Sequence, residues 1–170
     1  MLVRKLFMAL LAGAVLSGCV ENTSNMAEKS GPVAVGPGSL NVDLVTAVSM
    51  FKKVCVKNAP HFANSPKVLA SLPFQQSPST GTYFHKELNM SFKVRGAKGS
   101  KVCSMVFVSK VPATQLAISF GASTSADGNI GVDPDGGASK AKGPSGTTMT
   151  FKSQGSAKGR ASYFAAFLEQ

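Results

Sequence analysis

The chain has 170 residues, 44% hydrophobic and 15% charged, with 18 Lys and Arg against 8 Asp and Glu for a formal net charge of +10. That length allows one domain of ordinary size with a real core, and charge of this sign bears on association and solubility rather than on fold. Three cysteines and two histidines without close ligand spacing make a metal centre a poor fit, and so do the six acids after residue 40 for paired-carboxylate hydrolysis.

The first element reads as an export signal. Met1 to Lys5 carries Arg4 and Lys5 and no acid, and Leu6 to Val15 is then apolar for ten residues. Spanning a bilayer core takes roughly 20 helical residues, so the run is too short to cross and suits the centre of a secretory signal peptide. It closes on Leu16-Ser17-Gly18-Cys19. Here the sequence resembles bacterial lipoproteins, whose lipobox reads Leu, a small residue, Gly or Ala, then Cys. The resemblance covers about the first twenty residues and implies that residues 1–18 are removed and that Cys19 carries the acyl anchor. An ordinary cleaved signal or an uncleaved buried helix is the alternative. One acyl chain binds a membrane only marginally, at about 0.8 kcal/mol per buried CH2, whereas two or more hold firmly. Val20 follows the cysteine where an Asp would retain an enteric lipoprotein in the inner membrane, so the family rule points to the outer membrane, facing the periplasm.

An exported domain folds in an oxidising compartment, where Cys55 and Cys103 can pair across about 48 residues. Two buried free thiols or a metal site are the competing readings. A metal would need ligands beyond His61 and His85, and no C-x-x-C spacing is present. Between anchor and domain, residues 19–39 lack aromatics and carry Gly31, Pro32, Gly36, Pro37 and Gly38. Such composition reads as a flexible tether, about 25 Å long on average.

Residues 40–170 read as a single α+β domain: an antiparallel sheet of about four strands with two or three short helices packed on one face. Asn41 and Asp43 precede a helical pattern of Leu44, Val48, Phe51 and Cys55, with Lys53 and Lys57 opposite, stopped at Ala59-Pro60. Ser65-Pro66 offers an N-cap and first-turn proline for a short helix through Leu72. Thr82 to Lys86 is a candidate strand. Met90, Phe92 and Val94 alternate with Ser91, Lys93 and Arg95, and after the turn "RGAKGS" the strand "KVCSMVFVS" places Cys103, Met105 and Phe107 on one face. Val102, Val106 and Val108 then point the other way, more apolar than a solvent face, so something in the chain or a partner covers that side. Pro112 opens "PATQLAISF", with Gly121 as its expected C-cap. Residues 121–146 hold seven glycines and read as a long loop. Thr147 to Ser153 and Ala161 to Leu168 close the fold as strands, the last also fitting a helical face.

Chemistry is sparse. "DGNIGVDPDGG", Asp127 to Gly137, fails the EF-hand spacing and reads as turns. "RGAKGSK" lacks P-loop spacing and joins two strands, so it is a basic hairpin tip. His85 reads as a strand or loop residue with an ordinary hydrogen bond, and no serine sits in G-x-S-x-G. The domain also loosely resembles small cysteine-paired domains of exported bacterial proteins, a likeness that brings no activity with it. The expectation is therefore a non-enzymatic, lipid-anchored envelope lipoprotein without cofactor or nucleic-acid partner. It would be a binding or structural module for an anionic envelope component or acidic protein, with Arg95, Lys98 and Lys101 at the tip helping recruitment. The alternative is an inhibitor or immunity-like protein that blocks an envelope enzyme.

Overall fold

Asp43 starts the first helix, α1 (Leu44–Val54). Its Oδ1 accepts from the Thr46 amide at 2.9 Å and its Oδ2 from the Thr46 hydroxyl at 2.7 Å. These bonds satisfy an orphan donor of the first turn and hold the Asp43 carboxyl below the usual carboxylate range. Ala47, Phe51 and Val54 bury one side of α1, and Cys55 follows directly, fully buried. Side chains close the other end. Asn58 Nδ2 donates to the carbonyls of Lys53 and Val54, and Ser65 Oγ donates to Val54 O at 2.6 Å.

That last bond corrects the sequence reading of the second helix, α2 (Ser65–Ala70). Asn64 occupies its cap position without a side-chain bond, Pro66 lies in the first turn as expected, and Ser65 is already helical. A buried hydroxyl needs an acceptor, and the open carbonyl end of α1 supplies one.

The structure is a computed structural model describing residues 38–97, 100–125, 138–156 and 161–170, all within one unit that covers residues 31–170. After α2 come β1 (Phe74–Gln76), β2 (Tyr83–His85), β3 (Met90–Ala97) and β4 (Ser100–Ser109). They are followed by α3 (Ala113–Thr124), β5 (Ala138–Lys142), β6 (Thr148–Ser156) and β7 (Ser162–Glu169). All seven strands form one antiparallel sheet in the order β1-β2-β3-β4-β7-β6-β5. The chain meanders through β1 to β4, passes by α3 to the far edge, and meanders back until β7 pairs with β4.

The class is the expected α+β with an antiparallel sheet, but seven strands replace the expected four or so. β1 has three residues, too few for alternation to show. β5 lies inside the glycine-rich stretch that reads as loop, its "ASKAK" alternating small residues with lysines. Within the stretch read as a loop over residues 121–146, residues 121–124 belong to α3 and residues 138–142 to β5. Gly121 does not cap α3 either. It is buried with Leu116, Ala117, Phe120 and Thr124, and the helix runs on to Thr124 with Ser125 at its cap. Gly121 therefore lies on the packed side of α3 and not at its end. The ambiguous C-terminal segment is a strand, β7, whose Phe164, Ala166 and Leu168 are buried together in the core.

The core lies between the helices and one face of the sheet. Met90 and Phe92 of β3, Cys103, Met105 and Phe107 of β4, Met149 and Phe151 of β6, and Phe164 and Leu168 of β7 line that face. Cys55 at the end of α1 is bonded to Cys103 with Cα atoms 5.6 Å apart, which pins α1 to the sheet. Phe120 of α3 sits among three rings, with centroids 5.5 Å from Phe51, 5.8 Å from Phe107 and 5.2 Å from Phe151. α2 packs on α1 and on β1. The segment ahead of α1 is stitched to the sheet as well. Leu40 N donates to Glu87 O, Asn89 N to Leu40 O, Val42 N to Val108 O, and Ser109 Oγ to Val42 O. Gly38 lies so close to the Leu88 carbonyl that a Cβ would collide with backbone. Among the described residues no helix is long and apolar enough to cross a membrane.

Candidate functional site

The bridge is the one predicted pairing that the described residues contain in full. Both cysteines are fully buried, and among the described residues no three His, Cys, Asp or Glu side chains gather as metal ligands. Cys19 and Lys98 lie outside the described residues, as does the acidic stretch Asp127 to Gly137.

Both histidines hold structural bonds. His85 is 5% exposed, and its Nδ1 accepts from the amides of Glu87 at 3.1 Å and Leu88 at 3.0 Å. The proton of the neutral ring therefore sits on Nε2. Phe74 meets the ring edge-on, with centroids 4.9 Å apart. Burial lowers the His85 pKa, and the Glu87 carboxylate raises it by less. His85 thus closes the turn from β2 to β3 as a hydrogen-bond acceptor, a role that protonation removes. Since its folded pKa is depressed, this stability is present above the unfolded histidine value of about 6.5 and is lost as pH falls through that value toward the folded one. Protonation leaves two part-buried amides facing an N–H, so stability to urea should fall between pH 7.5 and 5, by about 2 kcal/mol at most, since each unit below the unfolded value is worth about 1.4 kcal/mol. His85→Asn should flatten that slope. An unchanged slope would mean that His85 is not the titrating group. Asp43 acts in a lower window, where its depressed pKa sets in.

Alternation separates the basic residues of the hairpin. Arg95 pairs with Val102, and Gly96 with Lys101. Lys101 therefore shares the face of Cys103, where its Nζ lies 2.7 Å from His61 Nδ1 in the segment after α1. Arg95 points to the opposite face. The sequence groups the two because they are close in the chain, but the strand period of two sends them to opposite sides.

The sheet face away from the helices grades from closed to open. At one end Val106 and Val108 are each 2% exposed, whereas Val102 is only partly covered. Phe84, Tyr163 and Phe167 stand at register positions around Val106 and its partner Ala165 on this face. Towards the hairpin tip the face becomes polar and basic. One row across the sheet reads Lys93, Ser104, Phe167, Thr150 and Lys140, and the next reads Arg95, Val102, Glu169, Thr148 and Lys142. Lys152 stands on the same face, its Nζ 5.8 Å from the centroid of the Phe167 ring. Of the basic residues on this face, only Arg95 is a site candidate from the sequence. The others were hidden because strand order, not chain order, brings β3 and β5 onto one surface.

A scan against protein-family models, a search of curated proteins and a search of solved structures each return no match, so the reading of function stands on the residues themselves.

Proposed function

We propose that this chain is an exported lipoprotein, anchored through acyl groups on Cys19, whose α+β domain works without catalysis by binding an anionic component of the cell envelope. The observation that carries the anchor is the commitment of Cys55 and Cys103 to each other, which leaves Cys19, at the end of Leu16-Ser17-Gly18, as the thiol with no partner in the chain. Val20 directs the anchored protein to the outer membrane, facing the periplasm. The basic excess and the exposed Arg95 support an anionic partner, because long-range attraction speeds encounter.

Labelling tests the anchor. Cells fed an alkyne fatty acid should label the parent protein, whereas Cys19→Ser should take up no label and accumulate as the unprocessed precursor. Equal labelling of both would refute it. Binding is tested by retention of envelope polymers from solubilised envelopes, with release by salt, since exposed charges are screened beyond about 8 Å at physiological ionic strength.

A further inference from the structure

We infer that residues 38–41 are a strap latched to the sheet through His85, and that protonation of its ring releases the strap while the rest of the domain stays folded. The inference goes beyond the binding reading and holds whether or not Cys19 is acylated. Its mechanical part is one turn. His85 Nδ1 accepts from the amides of Glu87 and Leu88, which fixes the connection between β2 and β3. The same three turn residues hold the strap. Leu40 N donates to Glu87 O at 3.1 Å, Asn89 N donates to Leu40 O at 2.8 Å, and Leu40 and Leu88 form a parallel bridge. Gly38 lies against the Leu88 carbonyl with no room for a Cβ. Leu40 itself is 58% exposed, so burial of its side chain adds little to the hold. Val42 is different. It is buried, its N donates to Val108 O at 2.8 Å, and Ser109 Oγ donates to its carbonyl at 2.6 Å. Those bonds bypass the turn, which makes Val42 the pivot.

The coupling runs through a single peptide group. A peptide unit is planar, so the Leu88 N–H that meets His85 and the Glu87 carbonyl that meets Leu40 belong to one rigid plate. A proton on Nδ1 turns the acceptor into a donor and sets it against two amide donors. The plate must rotate to relieve that, and it carries the acceptor of Leu40 away with it. The surroundings set the pH at which this happens. Burial favours the neutral ring, and the Glu87 carboxylate opposes it by less. Lys86 and Tyr83 are the other titratable groups on the strand and turn. β1 brings Phe74, Gln75 and Gln76, β3 opens with Met90 and Ser91, and the strap carries no titratable side chain. Release adds four residues to the free chain ahead of the domain, at most about 13 Å at about 3.3 Å each.

Nuclear magnetic resonance on the isotope-labelled full chain tests the latch, with the His85 ring and the strap amides followed from about pH 7.5 to about pH 5. The amides of Ser39, Leu40 and Asn41 should pass from order parameters of about 0.85 to below about 0.6, with the same midpoint as the ring. Val42 and the amides of β4 should stay ordered. His85→Asn offers an acceptor that does not titrate and should keep the strap ordered to the end of the series. Gly38→Val forces the strap off at neutral pH. Because coupling is reciprocal, it should raise the His85 midpoint toward the unfolded value of about 6.5. This variant decides the matter if His85→Asn fails to fold. A strap that stays ordered through the His85 titration, or that is lost only together with β3 and β4, would overturn the latch. Release at the same pH in a folded His85→Asn, or an unmoved midpoint in Gly38→Val, would overturn it too.

Discussion

Removing either cysteine of the Cys55–Cys103 bridge should lower the stability of the domain by about 4 kcal/mol, the chain-entropy value for a closed loop of this length. The loop spans 48 residues and joins the end of α1 to the central strand β4, so its loss frees the unfolded chain over more than a third of the domain. Against a total of about 5–15 kcal/mol for a domain, this is a large fraction, and the melting temperature should fall by roughly 10–20 °C. The double mutant Cys55→Ala/Cys103→Ala should cost little more than either single one, because each removes the same bond. Reductant should reproduce the shift in the parent and leave the variants unmoved. Additive losses, or two titratable thiols in the oxidised protein, would contradict the pairing.

The second large effect belongs to Phe120. It is fully buried and touches rings from α1, β4 and β6, which makes it the place where α3 is joined to both the helix layer and the sheet. Phe120→Ala should cost about 3–5 kcal/mol, the range for truncating a buried aromatic, because the surrounding rings cannot collapse fully into the space. Three ring pairs vanish with it, each worth about 0.5–1.5 kcal/mol beyond area burial in isolated cycles. Ile118, two residues away and 57% exposed, is the control: Ile118→Ala should change stability by no more than about 0.5 kcal/mol. Denaturant titration of the two variants side by side gives the answer, and similar costs at both positions would contradict the packing described.

What could be read in advance follows from pattern length. α1 declared itself through a capping aspartate and a buried stripe over three turns, and β3 and β4 through alternation sustained for six residues or more. Three-residue β1 and lysine-rich β5 carry no such pattern, since an edge strand needs little apolar surface and lysines there discourage pairing with other chains. Ser65 and Gly121 were misread for a common reason. Each residue type has a local use, as a cap, and a tertiary use, Ser65 as a buried tether and Gly121 on a buried helix side, and only packing decides between them. The candidate surface was the least legible part. Arg95 and Lys101 are six residues apart and divided by the sheet, while Arg95 and Lys142 are far apart in the chain yet share a row across it.

The central claim is that Cys19 tethers this domain to a membrane, and mass spectrometry of the protein extracted from cell envelopes tests it most directly. The account predicts a mature chain that begins at Cys19 and carries the mass of a diacylglyceryl group with a further acyl chain on its amino group. It also predicts a peptide pair joined through Cys55 and Cys103. A chain that retains residues 1–18, or one that begins at residue 19 with an unmodified cysteine, would contradict it.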